Sequence, residues 1–335
     1  MKQKTLLDEE NRLELLSQLG DPLEILNRVI KWEKFRSVLN QGSRKEDTGK
    51  GGRPSYDVVM MFKILVLQRL YNLSDDQTEY QINDRMSFMR FLGINLCEKV
   101  PDAKTIWKFK NDLAETETVD KLFCMFDEHL ENKGLISHKG TIVDAPRQRN
   151  SRDENNKIKS GVIPEGWEKP ENKSKLAQKD IDADWTKKNG ERHFGYKDHV
   201  KCDADSKLIT NYSVTSASVH DSQRCLVFIG QEDEVLYADS AYSGKPIALA
   251  LPENCKNQIC EKGYRNSPLT SEQKMNNRRK SRIRCRIEQI FGFMTGAMHG
   301  ITIRSIGITR AWMNIGITNL VYNFCRYSYL KRASA

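Results

Sequence analysis

The sequence changes period at Thr141. Before it, apolar residues recur at helical spacing, first at Leu13, Leu15, Leu16 and Leu19, then at Leu23, Ile25, Leu26, Val29 and Ile30, then from Val58 to Leu70. That spacing belongs to helices with one buried face. At Thr141-Ile142-Val143-Asp144 a short β-branched run ends in an acid, and Glu234-Val235-Leu236-Tyr237-Ala238-Asp239 repeats the design. Runs of this length and make-up, bounded by turn residues, are strands. The chain therefore divides into an all-helical N-terminal domain over 1–135 and a mixed α/β domain over 136–335.

Within that frame the pattern predicts helices near 75–92, 103–113 and 116–132, with Ser55 capping the helix that follows Pro54. Gln41 to Pro54 contains Gly-Ser, Asp-Thr-Gly and Gly-Gly and is expected to be a linker or loop. Residues 148–190 are polar without a sustained apolar period and are expected to be an insert. Strands are predicted at 194–202 and 208–215 about a turn at Asp203-Ala204-Asp205-Ser206, with a weaker strand at 258–260. Further helices are expected near 221–229, from 271 to 298, and from 311 to 329.

Composition restricts the partners. The 335 residues carry 54 Lys and Arg against 45 Asp and Glu, a formal charge of +9, which favours a polyanionic partner and says nothing of the fold. No apolar run reaches the 18 or so residues of a membrane span, and the acidic, amphipathic first 30 residues do not read as a signal peptide. A cytoplasmic protein is expected. The eight cysteines form no C-x-x-C pair, so neither a zinc ribbon nor a disulfide framework is indicated.

The chemistry-bearing residues are Asp144 and Asp239, each at the end of a predicted strand, and Glu288 on a later helix. A single acid there is usually a turn residue. Three of them in this context form the oxygen-donor set that Mg²⁺ or Mn²⁺ requires, and two such ions about 4 Å apart serve in-line phosphoryl displacement. Ile283, Ile287, Ile290, Phe291 and Met294 form a stripe that would pack this helix on a sheet, with Glu288 about 100° round from Ile287. A solvated pair between Glu288 and Arg284 at i, i+4 is the competing explanation.

The same segment carries Lys274, Arg278, Arg279, Lys280, Arg282, Arg284 and Arg286, seven cations in thirteen positions. Beside a phosphodiester site, such a run is expected to bind the DNA backbone. Lys197 and His199, on a predicted strand, are further candidates for DNA contact, with a structural role for His199 equally open. The helix from Asp102 to Leu113, with Lys104, Lys108 and Lys110, is a weaker candidate for groove recognition or for a subunit interface. Trp32 and Trp107 are expected in the core.

At these residues the chain resembles the DDE-class insertion-sequence transposases, in particular the group called insertion-sequence family five. The blocks TIVDAPRQRN, LYADSAYSG and RCRIEQIFGFMTGAMHG carry the resemblance, with FGYKDHVKCDADSKLI and SASVHDS between the first two and GRPSYDVVMMFKILVLQRLYNLSDDQTEYQINDRMSFMRFLGI as a helical leader. The likeness implies an RNase H-like catalytic domain, with Asp144 on the first strand, Asp239 after the fourth and Glu288 on the following helix. Only 48 residues separate Asp239 from Glu288, too few for the insertion domain of some relatives. A related signature places tyrosine, arginine, glutamate and lysine on the last helix. Arg284 and Glu288 match it, whereas Ser281 and Thr295 stand where tyrosine and lysine would be.

The resemblance further implies a bacterial enzyme that binds terminal inverted repeats, uses two divalent ions held by Asp144, Asp239 and Glu288, cleaves at the element's ends and joins the 3′-hydroxyl to target DNA. A homodimer on double-stranded DNA is expected, with the protein on the nucleoid when bound. A catalytically inactive, domesticated DNA-binding protein and a non-transposing RNase H-like nuclease remain the alternatives.

Overall fold

The computed structural model describes residues 8–43, 55–150, 163, 165–188, 190–300 and 302–333. Most of the expected linker at 41–54 and part of the expected insert at 148–190 lie outside the described residues. The chain forms two compact units, one of Met1–Leu122 with Phe324–Ala335 and one of Phe123–Asn323. The division thus falls inside a helix rather than at 135, and the end of the chain belongs to the first unit.

The first unit is helical, as its apolar period predicts. Its helices are α1 (Asp8–Gln18), α2 (Pro22–Val29), α3 (Arg36–Gly42), α4 (Val58–Leu70), α5 (Asp75–Asp84), α6 (Met86–Leu92) and α7 (Ala103–Glu115). Helix α8 (Thr118–Glu131) runs on into the second unit. Starts are fixed by side chains that satisfy orphan N–H groups: Asp21 accepts from Leu23, Ser74 and Gln77 form a capping box, and Asp102 accepts from Thr105. For α4 the cap is Asp57, which accepts from Val59 and Met60, and not the expected Ser55.

Helix α4 is buried almost all round. Phe62 meets Trp32 and Phe35 at ring-centroid distances of 6.1 and 5.3 Å, and Phe324 closes on Trp32 at 5.5 Å. The two Trp32 pairs are edge-on, and ring pairs of this kind add about 0.5–1.5 kcal/mol each beyond the area they bury. Trp32 is core, as expected. Trp107 is not: Ile106, Phe109 and Leu113 form the buried stripe of α7, and Trp107, one residue round from Ile106, is 52% exposed.

The second unit contains an eight-stranded mixed sheet. Its strands are β1 (Thr141–Asp144), β2 (Arg147–Asn150), β3 (Asp184–Lys188), β4 (Glu191–Asp203), β5 (Ile209–Ser216), β6 (Val235–Tyr237), β7 (Lys256–Asn257) and β8 (Thr302–Ile303). The helices of this unit are α9 (Lys173–Ala177), α10 (Ser222–Phe228), α11 (Lys245–Ala250), α12 (Ser271–Arg284) and α13 (Arg286–Thr295). Helix α14 (Ile308–Ala333) begins here and ends in the first unit.

Long β4 organises the sheet. It pairs antiparallel with β1 and β2, and antiparallel with β3 and β5. Between β1 and β2, Pro146 has no N–H to give to the ladder, so one run of chain splits into two strands, and Asp144 lies at the break. Strand β6 lies parallel to β1 and β7 parallel to β6. The β4–β5 turn is held by Asp203, whose carboxylate accepts from Ser206 N at 2.7 Å and Ser137 Oγ at 2.8 Å. The single helix expected over 271–298 is two, α12 and α13, divided at Cys285.

Candidate active site

Two carboxylates are brought together by strand register. In the parallel pair β1–β6, Ile142 lies opposite Tyr237. Asp144 and Asp239 each come two residues later, so both emerge at the same C-terminal edge of the sheet. Val143, Leu236, Ala238 and Tyr242 share one buried cluster with Phe228 and Ile247, which fixes both strand ends. Each aspartate commits one oxygen locally: Asp144 Oδ1 accepts from Ala145 N and Asp239 Oδ1 from Ala241 N, both at 2.8 Å.

Helix α13 supplies the third acid. Ile287, Ile290 and Met294 are buried, and α13 packs on β1. Glu288 sits one position past Ile287, at the edge of that stripe. Arg284 links two of the three acids. Its guanidinium donates to Glu288 Oε1 at 2.6 Å and to Asp144 Oδ2 at 3.4 Å. Burial works against its charge, but the bond to Glu288 and the fields of Asp144, Glu288 and Asp239 outweigh burial and hold its pKa above the ordinary arginine value. Both readings of Glu288 meet here, since the i, i+4 pair forms and also points into the acidic edge.

This arrangement suits divalent ions. The donors are hard carboxylate oxygens, and a protein cation already sits among them as a stand-in for positive charge. With Arg284 in their midst, the three acids are not drawn into one tight set. Among the described residues, the potential ligand atoms that lie within 4.8 Å of one another belong to His138, Glu232 and Asp233. There Asp233 is already engaged by Thr141 Oγ1 at 2.6 Å, Gly230 N at 2.8 Å and Lys201 Nζ at 2.9 Å.

The cations divide by environment. Arg278, Arg279 and Arg282 are exposed. Lys280 donates to Ile259 O at 2.9 Å, and Arg286 to Ala204 O at 2.9 Å and Asp205 at 3.0 Å. Lys197 and His199 do not present the surface expected of DNA contacts. Lys197 is buried, donates to Val219 O at 2.6 Å and pairs with Asp221 at 2.8 Å. His199 is fully buried, with Nε2 2.8 Å from Thr215 Oγ1, and burial pulls its pKa down to about 4, so it is neutral near pH 7. Nearly every residue of β4 from Phe194 on is covered on both faces, so polarity there does not mark exposure. On α7, Lys110 is paired with Asp75, while Lys104 and Lys108 stay exposed beside Trp107.

The sequence reading missed Tyr242 and Asp221. Tyr242 is fully buried, and among the described residues its hydroxyl has no hydrogen-bond partner. Burial, then the charges of Asp144, Asp221 and Asp239, push its pKa upward, so a neutral phenol lies close behind the acidic edge. Both residues fall inside the quoted blocks SASVHDS and LYADSAYSG, which was the available signal.

Two family models match the chain. Residues 10–112 match the family described as Transposase domain (DUF772), and residues 139–324 match the family described as Transposase DDE domain. A solved structure, the cryo-EM piggyBac transposase synaptic complex with hairpin DNA, is similar over 95% of this chain and 76% of its own at 12% identity, with a TM-score of 0.43. Since the second match covers more than half of the sequence and takes in Asp144, Asp239 and Glu288, the chain belongs to the DDE transposase family.

Proposed function

We propose that this transposase binds the terminal inverted repeats of its element, cleaves a phosphodiester at each end and joins the freed 3′-hydroxyl to target DNA, with Asp144, Asp239 and Glu288 as the catalytic carboxylates. The observation that carries the reading is Arg284, whose guanidinium touches both Asp144 and Glu288 at the sheet edge where Asp239 also emerges. Acids from β1 and α13 thus share one cation, beside the strand end that carries Asp239.

The three carboxylates would hold two Mg²⁺ or Mn²⁺ ions, which when bound supply charge neutralisation for the attacking and leaving oxygens. The protein's own part is positioning. Asp144 and Asp239 are fixed by their backbone bonds and the cluster beneath them, and Glu288 by the buried stripe of α13. In the first reaction water attacks the phosphorus, the P–O3′ bond breaks and the 3′-oxygen leaves with a proton. In the second, that 3′-hydroxyl attacks a target phosphodiester, so one ester bond is exchanged for another with no covalent protein intermediate. Arg284 would shift from the carboxylates to a phosphate oxygen, for which its planar fork is suited.

An RNase H-like fold is part of the proposal. It is supported by the strand order β5–β4–β1–β6–β7, in which β1, β4 and β5 are antiparallel and β6 and β7 run parallel to β1. Membership of insertion-sequence family five is consistent with the matches. We further infer a cytoplasmic bacterial protein acting as a dimer on two ends; among the described residues no helix is long and apolar enough to cross a membrane.

The test is incubation of the protein with labelled DNA carrying the element's ends in Mg²⁺ or Mn²⁺, beside Asp239→Ala. Metal-dependent 3′-end cleavage and joining, lost in the variant, is the expected result. Cutting without joining would make it a nuclease, and specific binding without either would make it a DNA-binding protein.

A further inference from the structure

Helix α12 buries none of its side chains. It is held from one side: a capping box joins Thr270 and Gln273, Asn277 exchanges bonds with the backbone of Glu261, and Lys280 donates to Ile259 O. On the other side Lys274, Arg278 and Arg282 recur at every fourth position, about 6 Å apart in helix rise. Like charges at that spacing weaken a helix by about 0.2–0.5 kcal/mol per pair. The ion pairs of this segment are made by Lys280, Arg284 and Arg286; among the described residues Lys274, Arg278 and Arg282 make none.

These three cations line a groove of about 620 Å³ with Leu269, Ser281 and Cys285, and Asn277, which also bonds the backbone of Glu261, forms one wall of it. Ser281 connects the groove to the catalytic edge. Its Oγ lies 3.8 Å from Cys260 Sγ, and Cys260 N donates at 3.0 Å to Ala238 O, the residue before Asp239. Leu269 connects it to an exposed ring. Leu269 packs over Gly263 so closely that a β-carbon there would come 3.2 Å from Leu269 Cγ. The next residue, Tyr264, is 64% exposed, has Lys262 Nζ 5.9 Å from its ring, and sits in a turn closed by mutual backbone bonds with Ser267.

A basic track beside an exposed aromatic is the combination that binds unpaired nucleic acid, since cations follow the phosphates while the ring stacks on a base. A duplex offers the phosphates but keeps its base faces covered. We infer that this groove holds an unpaired DNA strand leading to Asp239, with Lys274, Arg278 and Arg282 along its phosphates and Tyr264 stacked on a base. The inference rests on the transposase reading, because it takes the bound polyanion to be DNA and Asp239 to belong to the cleavage site.

The experiment measures fluorescence anisotropy of a labelled single strand and of the matching duplex, with full-length protein and no added metal. Tyr264→Ala should weaken single-strand binding about tenfold and leave duplex binding within about twofold. The triple variant Lys274→Glu, Arg278→Glu, Arg282→Glu should lower the salt slope for the single strand by about two. Circular dichroism melts of these surface variants check that they remain folded. Equal effects of Tyr264→Ala on both DNA forms, or an unchanged salt slope in the triple variant, would overturn the groove. Metal-dependent cleavage of end duplexes by the parent is read separately. If it occurs while the groove predictions fail, only the groove is overturned; if it is absent, the transposase reading falls whatever the single strand does.

Discussion

Arg284 reaches Asp144 across 140 residues of sequence, donating to Oδ2 at 3.4 Å while the same guanidinium holds Glu288 at 2.6 Å. A cation in that position competes with divalent ions for the same oxygens. It follows that Arg284→Gln should bind Mn²⁺ about tenfold more tightly in the absence of DNA, since an opposing charge a few ångströms away is removed. The variant should nonetheless cleave more slowly, having lost its phosphate contact. Calorimetric titration with Mn²⁺ decides the first half, and an unchanged affinity would remove Arg284 from the metal site.

The buried pair of Lys197 with Asp221 yields a different test, because the sequence pointed to Lys197 as a DNA contact. Lys197→Met leaves Asp221 without its countercharge. The loss for a fully buried pair is about 3–5 kcal/mol, and about 2 kcal/mol is expected here because Asp221 retains part of its surface. Urea unfolding should show this loss with no change in the salt dependence of DNA binding. Retained stability with a salt slope lowered by about one would restore Lys197 to the DNA surface.

The acids were legible because each sits in a local pattern: a β-branched run ending in Asp144, a second ending in Asp239, and the apolar stripe beside Glu288. What escaped depends on the ladder and on close packing. Strands β2 and β3 read Arg147–Asn150 and Asp184–Lys188, polar runs that no apolar alternation reveals and that exist because β4 offers them hydrogen bonds. The break at Cys285 has no Gly or Pro to announce it. It is a tight turn, with Glu288 N bonding back to Cys285 O at 3.1 Å. On β4, Lys197 and His199 misled because that strand is covered on both faces.

Two tryptophans with the same expected role part company in the structure. Trp32 is 6% exposed, and Trp107 is 52% exposed between Lys104 and Lys108 on α7. Trp32→Ala should cost about 3–5 kcal/mol by leaving a cavity among Phe62, Phe91 and Phe324. Trp107→Ala should stay within about 0.5 kcal/mol. Thermal melts of both variants test the placement, and a large loss from Trp107→Ala would mean that its side chain is covered in the folded protein.

Asp198 lies fully buried beside α14, its Oδ1 accepting from Asn319 Nδ2 at 3.1 Å, while among the described residues Asp198 Oδ2 and Asn319 Oδ1 have no partner. Burial, only partly offset by the Asn319 bond, pushes its pKa up to about 7. A carboxyl raised in the folded state is protonated in both states below the ordinary carboxylate range, so its stabilising contribution is complete there. Between about pH 4 and 7 the unfolded chain ionises first, and stability falls by up to about 1.4 kcal/mol per pH unit. Asn in this place keeps the acceptor and gives Asn319 Oδ1 a permanent donor. Asp198→Asn should therefore match the parent near pH 4 and exceed it increasingly up to pH 7. Asp127, raised to about 7 by burial and then by Glu131, keeps a slope of the same sign in the variant, so its curve should flatten without becoming level. Urea denaturation across pH 4 to 8 gives the comparison, and parallel curves for the two proteins would mean that Asp198 is ionised in the fold.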